Sequence, residues 1–248
     1  MFSVLNKIAE RLPAELGDQI DRNPELADIM VDALRDHLSP IGRNPFEMSV
    51  EAQIASIRRA NDEEGWGITD EVFARLARTA PAWPKGRHAF RFPRIRFGKG
   101  DEGVVQTFEA HATRIQHVFG EHYWRMDDLQ SEKEHLRLLA GNHTHQPVVE
   151  WVTADLGDHR VRKSITDVRG SKSLADELLV VAWMFPDLIR AIDYDTTPGF
   201  VAAGYEATVS DSGEWMTTVA ITLDQEAWLH AVHRDNAHPS LSVPHIQR

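Results

Sequence analysis

Eight consecutive apolar residues, Leu-Leu-Val-Val-Ala-Trp-Met-Phe at 178–185, leave no polar side on any helix or strand built from them. A segment with no polar face is stable only when it is surrounded. The rest of the chain must therefore fold around this stretch. Ser173 is placed to cap a helix entering it, and Pro186 to kink or end that helix. The spacing predicts a buried helix from Ser173 to about Arg190. Eight apolar residues fall far short of the ~20 that a membrane-spanning helix needs, so no membrane association is expected.

A chain of 248 residues removes roughly 70–75% of its unfolded surface from water on folding, enough for a sizeable core without covalent staples. The cysteine count is zero. Disulfides, thiolate zinc sites and cysteine nucleophiles are thereby excluded, and any metal must be held by His, Asp, Glu or backbone oxygen. Absence of cysteine also fits a reducing compartment. Lys7, Glu10 and Arg11 interrupt the apolar residues at the N-terminus, which does not read as an export signal. The expected location is the cytoplasm.

Ahead of the buried run, apolar residues recur at helical spacing as far as about residue 80. Ser3 and Asn23-Pro24 read as helix starts, as do Ser49 (before Val50, Ile54 and Ile57) and Thr69 (before Val72, Phe73 and Leu76). Pro81, Trp83, Pro84 and Gly86 then break the pattern. The expected organisation is a small helical unit at 1–80, a linker at 81–87 and an α+β domain at 88–248. In that domain a mainly antiparallel sheet is packed by two helices. Pro93, Ile95 and Phe97 alternate with Arg94 and Arg96 as in a half-buried strand, and Pro93 marks an edge. Val104, Val105, Phe108, Ala112, Ile115 and Phe119 form one helical stripe. Strands are expected near 135–139, 146–155, 159–166, 199–209 and 214–223.

Charge is distributed unevenly. Residues 1–84 carry 9 basic and 15 acidic side chains, residues 85–172 carry 15 and 12, and residues 173–248 carry 3 and 11. Acidic flanks repel phosphate, so general duplex DNA binding is disfavoured, while the basic middle can host a local anion site. Lys85, Arg87, Arg91, Arg94, Arg96 and Lys99 occur with no acid between them, interleaved with Phe90, Phe92 and Phe97. Guanidinium groups beside aromatics suit clamping of phosphate or carboxylate. Arg160 and Arg162 supply a second basic stretch that an antiparallel sheet would bring alongside. The plain alternative is an edge strand protected by its charges.

Other chemistry-bearing patterns are sparser. The segment 98–103 reads Gly-Lys-Gly-Asp-Glu-Gly between a strand and a helix, as a dinucleotide fingerprint does, but Asp101 and Glu102 would repel a pyrophosphate at the helix start. His143 and His145 share one strand face and suit a divalent metal with a carboxylate from elsewhere; Asp155 has their parity, Glu150 does not. Glu226, His230 and His233 fall on one face if 224–234 is helical. Asp193 and Asp195 bracket Tyr194 in what reads as either a paired-carboxylate site or a turn. A helix-turn-helix at 49–79 is disfavoured by its acidic connector Asp62-Glu63-Glu64, and Trp66 between two glycines is a candidate partner anchor.

Two functional expectations follow. The first is a non-catalytic binding or adaptor protein that receives a small anionic ligand, or the acidic surface of a protein partner, on the basic edge Arg91 to Lys99. The second is a metal-assisted hydrolase built on His143 and His145, or on Glu226, His230 and His233, with a divalent metal activating water.

Overall fold

The computed structural model describes residues 44–86, 88–98, 100–129, 136–138, 148–156, 164–168, 170, 172–194, 197–208, 215–217, 220–222, 226–233, 235 and 241–247. The chain divides into Met1–Arg43 and the compact unit Asn44–Arg248. Helices expected from Ser3 and Asn23 lie outside the described residues.

Helix α1 (Val50–Glu64) begins where expected, with Ser49 Oγ accepting from the Ala52 amide at 3.1 Å, and ends at Gly65 in the left-handed region at φ 67°. The Gly65 amide returns to the Asn61 carbonyl at 2.9 Å, and Asn61 Oδ1 accepts from the Ile68 amide at 2.7 Å, which fixes the turn into α2 (Asp70–Thr79). A tight strand follows: β1 (Ala89–Arg96) pairs antiparallel with β4 (Val148–Asp155) over all eight residues, Pro93 facing Trp151. Strand β11 (His245–Gln247) closes the other side of β4, so β1 is an edge as its proline requires.

Both faces of β1 are covered, because this sheet lies between two layers. On one face Arg75 Nη2 donates to the Val149 carbonyl at 3.0 Å and Trp151 Nε1 to the Leu76 carbonyl at 2.8 Å, fastening α2 to β4. On the other lies the apolar run. Residues of α5 (Asp176–Met184) are buried at every position, which its lack of a polar face demands. Pro186 ends α5 and opens α6 (Pro186–Arg190) as its first residue. Ser173 does not cap α5. Its backbone bridges to His245, its Oγ accepts from the Gly170 amide at 3.0 Å, and Glu177 Oε2 takes the Ala175 amide at 2.9 Å in place of a cap.

Helix α3 (Gly100–Phe119) packs beside α5, with Phe108, Ala112, Ile115 and Phe119 buried as the stripe implied. Among the described residues there are two further sheets. A five-stranded sheet runs β10 (Leu241–Ser242), β5 (Gly199–Val201), β8 (Ala220–Thr222), β9 (Ala227–His230) and β2 (Tyr123–Arg125); a three-stranded one runs β3 (Leu136–Leu138), β6 (Tyr205–Thr208) and β7 (Trp215–Thr217). All pairs are antiparallel except β10 with β5 and β2 with β9. The architecture is α+β with a mainly antiparallel sheet component, as the sequence indicated.

Three local expectations change. The strand expected at 199–209 is broken by a turn in which the Ala203 amide donates to Val201 O at 2.8 Å and the Tyr205 amide to Ala202 O at 3.0 Å, sending β5 and β6 into different sheets. Residues 165 and 166, expected to end a strand, instead open the short helix α4 (Ile165–Val168). The segment 224–234, which must be helical if Glu226, His230 and His233 are to share a face, carries β9, whose residues alternate buried and half-buried from Ala227 to His230.

Residues 81–86 of the expected linker lie inside Asn44–Arg248. Ile57, Ala60, Phe73 and Leu76 of the front helices share one continuous core with Phe90, Phe92 and α5. Trp83 packs on Phe90 and Phe185 at ring separations of 6.0 and 6.4 Å. Among the described residues no helix is long and apolar enough to cross a membrane.

Candidate functional site

Alternation along β1 sends its arginines to opposite faces, and each meets an internal partner. Arg91 donates from Nη1 to the Pro81 carbonyl at 2.6 Å and from Nη2 to the Met48 carbonyl at 3.1 Å, while its guanidinium lies 5.3 Å from both Trp83 and Trp151 rings. Arg94 pairs with Glu150 directly across the strand pair and with Glu177 at 3.2 Å. Arg96 lies 2.5 Å from Asp176 and 3.6 Å from Glu177. Lys99, Arg160 and Arg162 lie outside the described residues.

Arg94 and Arg96 thus face the first turn of α5, where helix-end amides also favour negative charge. Two guanidinium groups meet three carboxylates. Burial, reinforced by the neighbouring Glu177, pushes Asp176 up to about 7 against the pull of Arg96 and Arg94. The Tyr205 hydroxyl donates to Asp176 Oδ1. This centre welds β1, β4, β6 and α5 together, and its guanidinium groups are spent on carboxylates of the same chain.

His143 and His145 lie outside the described residues. Glu226, His230 and His233 lie on and around a strand, where four residues span roughly 13 Å in place of the ~6 Å of a helical turn. His230 turns its Nδ1 to the Ala231 carbonyl at 3.2 Å, and burial lowers its pKa; His233 Nδ1 accepts from the Asp235 amide at 3.2 Å. Among the described residues, the group of three His or carboxylate ligand atoms within 4.8 Å of one another is Glu63, Glu64 and His117. It joins the end of α1 to α3, so no spacing in the sequence revealed it. Arg114 already donates to Glu63 and lies 3.4 Å from Glu64.

His111 is a further buried histidine. Its Nε2 donates to the Ile95 carbonyl at 2.9 Å and its Nδ1 accepts from Trp183 Nε1 at 3.2 Å, among the rings of Trp66, Phe97 and Trp183. Burial pushes its pKa down to about 4, so the ring is neutral. Trp66, a candidate partner anchor, is half-buried in this packing.

The glycine-rich turn after β1 also proves structural. Gly98 has φ 78°, and a Cβ on Gly103 would lie 2.9 Å from the Gly98 carbonyl carbon. Close approach of α3 to the end of β1 explains both glycines. The strand beside β1 is antiparallel, whereas a dinucleotide-binding βαβ unit is parallel. Asp193 Oδ1 accepts from the Thr197 amide at 2.8 Å, which makes its segment a turn; Asp195 lies outside the described residues.

The feature without an internal explanation is on the edge of the five-stranded sheet. Trp124 of β2 lies directly opposite Trp228 of β9, with ring centroids 5.3 Å apart. Trp124 is 45% exposed, the large apolar side chain left open to water among the described residues. Alternation sends Tyr123 and Arg125 to the other face, where Arg125 Nη1 donates to Glu109 Oε2 at 2.8 Å and its guanidinium covers Phe108 at 4.9 Å. On the outer face Trp228 Nε1 donates to Glu226 Oε2 at 2.9 Å, and His122 Nδ1 lies 3.5 Å from Glu226 Oε1. In comparisons with known proteins, no family model, no curated protein and no solved structure matches this chain.

Proposed function

We propose that this is a non-catalytic binding protein whose docking face is the paired-indole surface of Trp124 and Trp228, with a protein partner as its ligand. The observation that carries the reading is the exposure of Trp124 beside a second tryptophan on a regular sheet edge. Large aromatic side chains supply binding energy at protein interfaces out of proportion to their number, and leaving one in water forgoes its burial. The first expectation placed the docking face on the basic edge of β1. Arg91, Arg94 and Arg96 are matched by internal carbonyls and carboxylates, which favours the tryptophan face.

A photo-crosslinking residue at position 124, compared with one at exposed Glu121 and one at Arg59 on α1, tests the proposal in the cells that make the protein. The expected result is a covalent adduct to one defined protein from position 124, lost when Trp228→Ala is added. Equal adducts from all three positions, or none from 124, would remove the docking face.

A further inference from the structure

Resting on that reading, we infer that the partner presents an extended segment with a lysine or arginine side chain, received over the Trp124 and Trp228 rings next to Glu226. Three observations converge on a cation. Indole faces carry negative quadrupole potential and attract ammonium and guanidinium groups within about 6 Å. The Glu226 carboxylate accepts the Trp228 Nε1 hydrogen at 2.9 Å, which holds an acidic side chain at the rim of the ring pair, with His122 Nδ1 3.5 Å from its other oxygen. Among the described residues of β2 and β9, the one basic side chain with a permanent charge is Arg125, and it lies on the opposite face paired with Glu109. Burial keeps His230 on the side of its neutral form.

The topology supplies the extended form. Strand β2 ends the five-stranded sheet, and among the described residues no strand pairs with its outer edge. An added strand places alternate side chains on the face that bears Trp124, with the directly opposite residue about 4.5–5.5 Å away between Cβ atoms. One basic residue in that register lies beside both indoles and within reach of Glu226. An acidic segment would meet Glu226, and an apolar one would cover the rings without using the carboxylate.

The test titrates the full-length chain with three seven-residue peptides of alternating Thr and Val that carry lysine, norleucine or glutamate at the centre, and separately with cellohexaose. Indole N–H resonances of Trp124 and Trp228, assigned with Trp124→Phe and Trp228→Phe, report binding. The lysine peptide should shift both resonances, bind roughly tenfold more tightly than the norleucine peptide, weaken with added salt, and lose most of that advantage in Glu226→Gln. Equal binding of all three peptides, or an unchanged advantage in Glu226→Gln, would overturn the cation while leaving the docking face standing. Shifts with cellohexaose and with no peptide would overturn both. No shift with any probe would overturn the inference, and the crosslink from position 124 then decides the docking face separately.

Discussion

Tyr205 donates its hydroxyl hydrogen to Asp176 Oδ1, linking β6 to the first turn of α5 through two side chains that are both out of contact with solvent. The same carboxylate faces Arg96 at 2.5 Å, yet burial and Glu177 outweigh the guanidinium groups and raise its pKa to about 7. Between that value and the ordinary aspartate pKa near 3.9, the folded protein favours a proton at Asp176 that the unfolded chain gives up.

The sign of the resulting pH dependence follows directly. Between about pH 4 and 7 the folded state binds more protons than the unfolded one, so this contribution is full below pH 4 and is lost as pH rises through 7. Asp176→Asn removes the titration. Urea unfolding from pH 4 to 8 should show that the variant loses the decline contributed by Asp176, a relative difference of a few kcal/mol across the range. Parallel profiles for the two proteins would mean that Asp176 titrates normally.

His111 acts in the opposite sense. Its pKa of about 4 lies below the ordinary histidine value, so its contribution is present above pH 6.5 and is lost as pH falls toward 4. In wild type the Asp176 and His111 slopes oppose each other between pH 4 and 6.5; in Asp176→Asn the opposing decline is gone and stability rises with pH there, with His230, whose pKa burial also lowers, adding in the same sense. The His111 ring protons should remain untitrated by NMR down to about pH 4. A midpoint near 6.5 would overturn the buried neutral ring.

Leu179 has no exposed surface in a helix buried on every side. Leu179→Ala should cost about 2–5 kcal/mol by chemical denaturation, the sum of lost transfer energy and an unfilled cavity. Leu179→Asp would bury an unpaired charge and abolish cooperative folding of the compact unit. A cost below ~1 kcal/mol for the alanine variant would place the helix at the surface.

Gly103→Ala is expected to destabilise, although alanine is the better helix former. Its Cβ would sit 2.9 Å from the Gly98 carbonyl carbon and 3.0 Å from the Phe97 carbonyl oxygen, both main-chain atoms that cannot swing away. A loss of about 1–3 kcal/mol is the range for forced overpacking. A gain in thermal stability would show that the β1 to α3 turn is looser than this contact implies.

The sequence was informative wherever one segment decides its own fate. The run at 178–185 has no polar side, so its burial needed no knowledge of neighbours, and Pro186 ends the helix by its own ring. Ser49 caps α1 through an amide three residues away, and the stripe from Phe108 to Phe119 is a matter of period alone. Spacing misled where two periods fit the same letters. Glu226, His230 and His233 satisfy a helical repeat, while Ala227 and Leu229 against Trp228 and His230 satisfy a strand, and pairing with β2 and β8 favours the strand.

Contacts between distant segments were beyond any local pattern. Arg94 and Arg96 read as an anion site because the carboxylates that engage them, Glu150, Asp176 and Glu177, lie more than 50 residues on, where no local pattern ties them to β1. Trp124 and Trp228 are 104 residues apart, and only the parallel pairing of β2 with β9 brings them face to face. Local propensity and period therefore determined the buried helix, the start of α1 and the stripe of α3. Which charges cancel, and which aromatic pair is left open to water, was decided by tertiary packing, because a charge or a ring takes its energy from whatever surrounds it and not from its place in the chain.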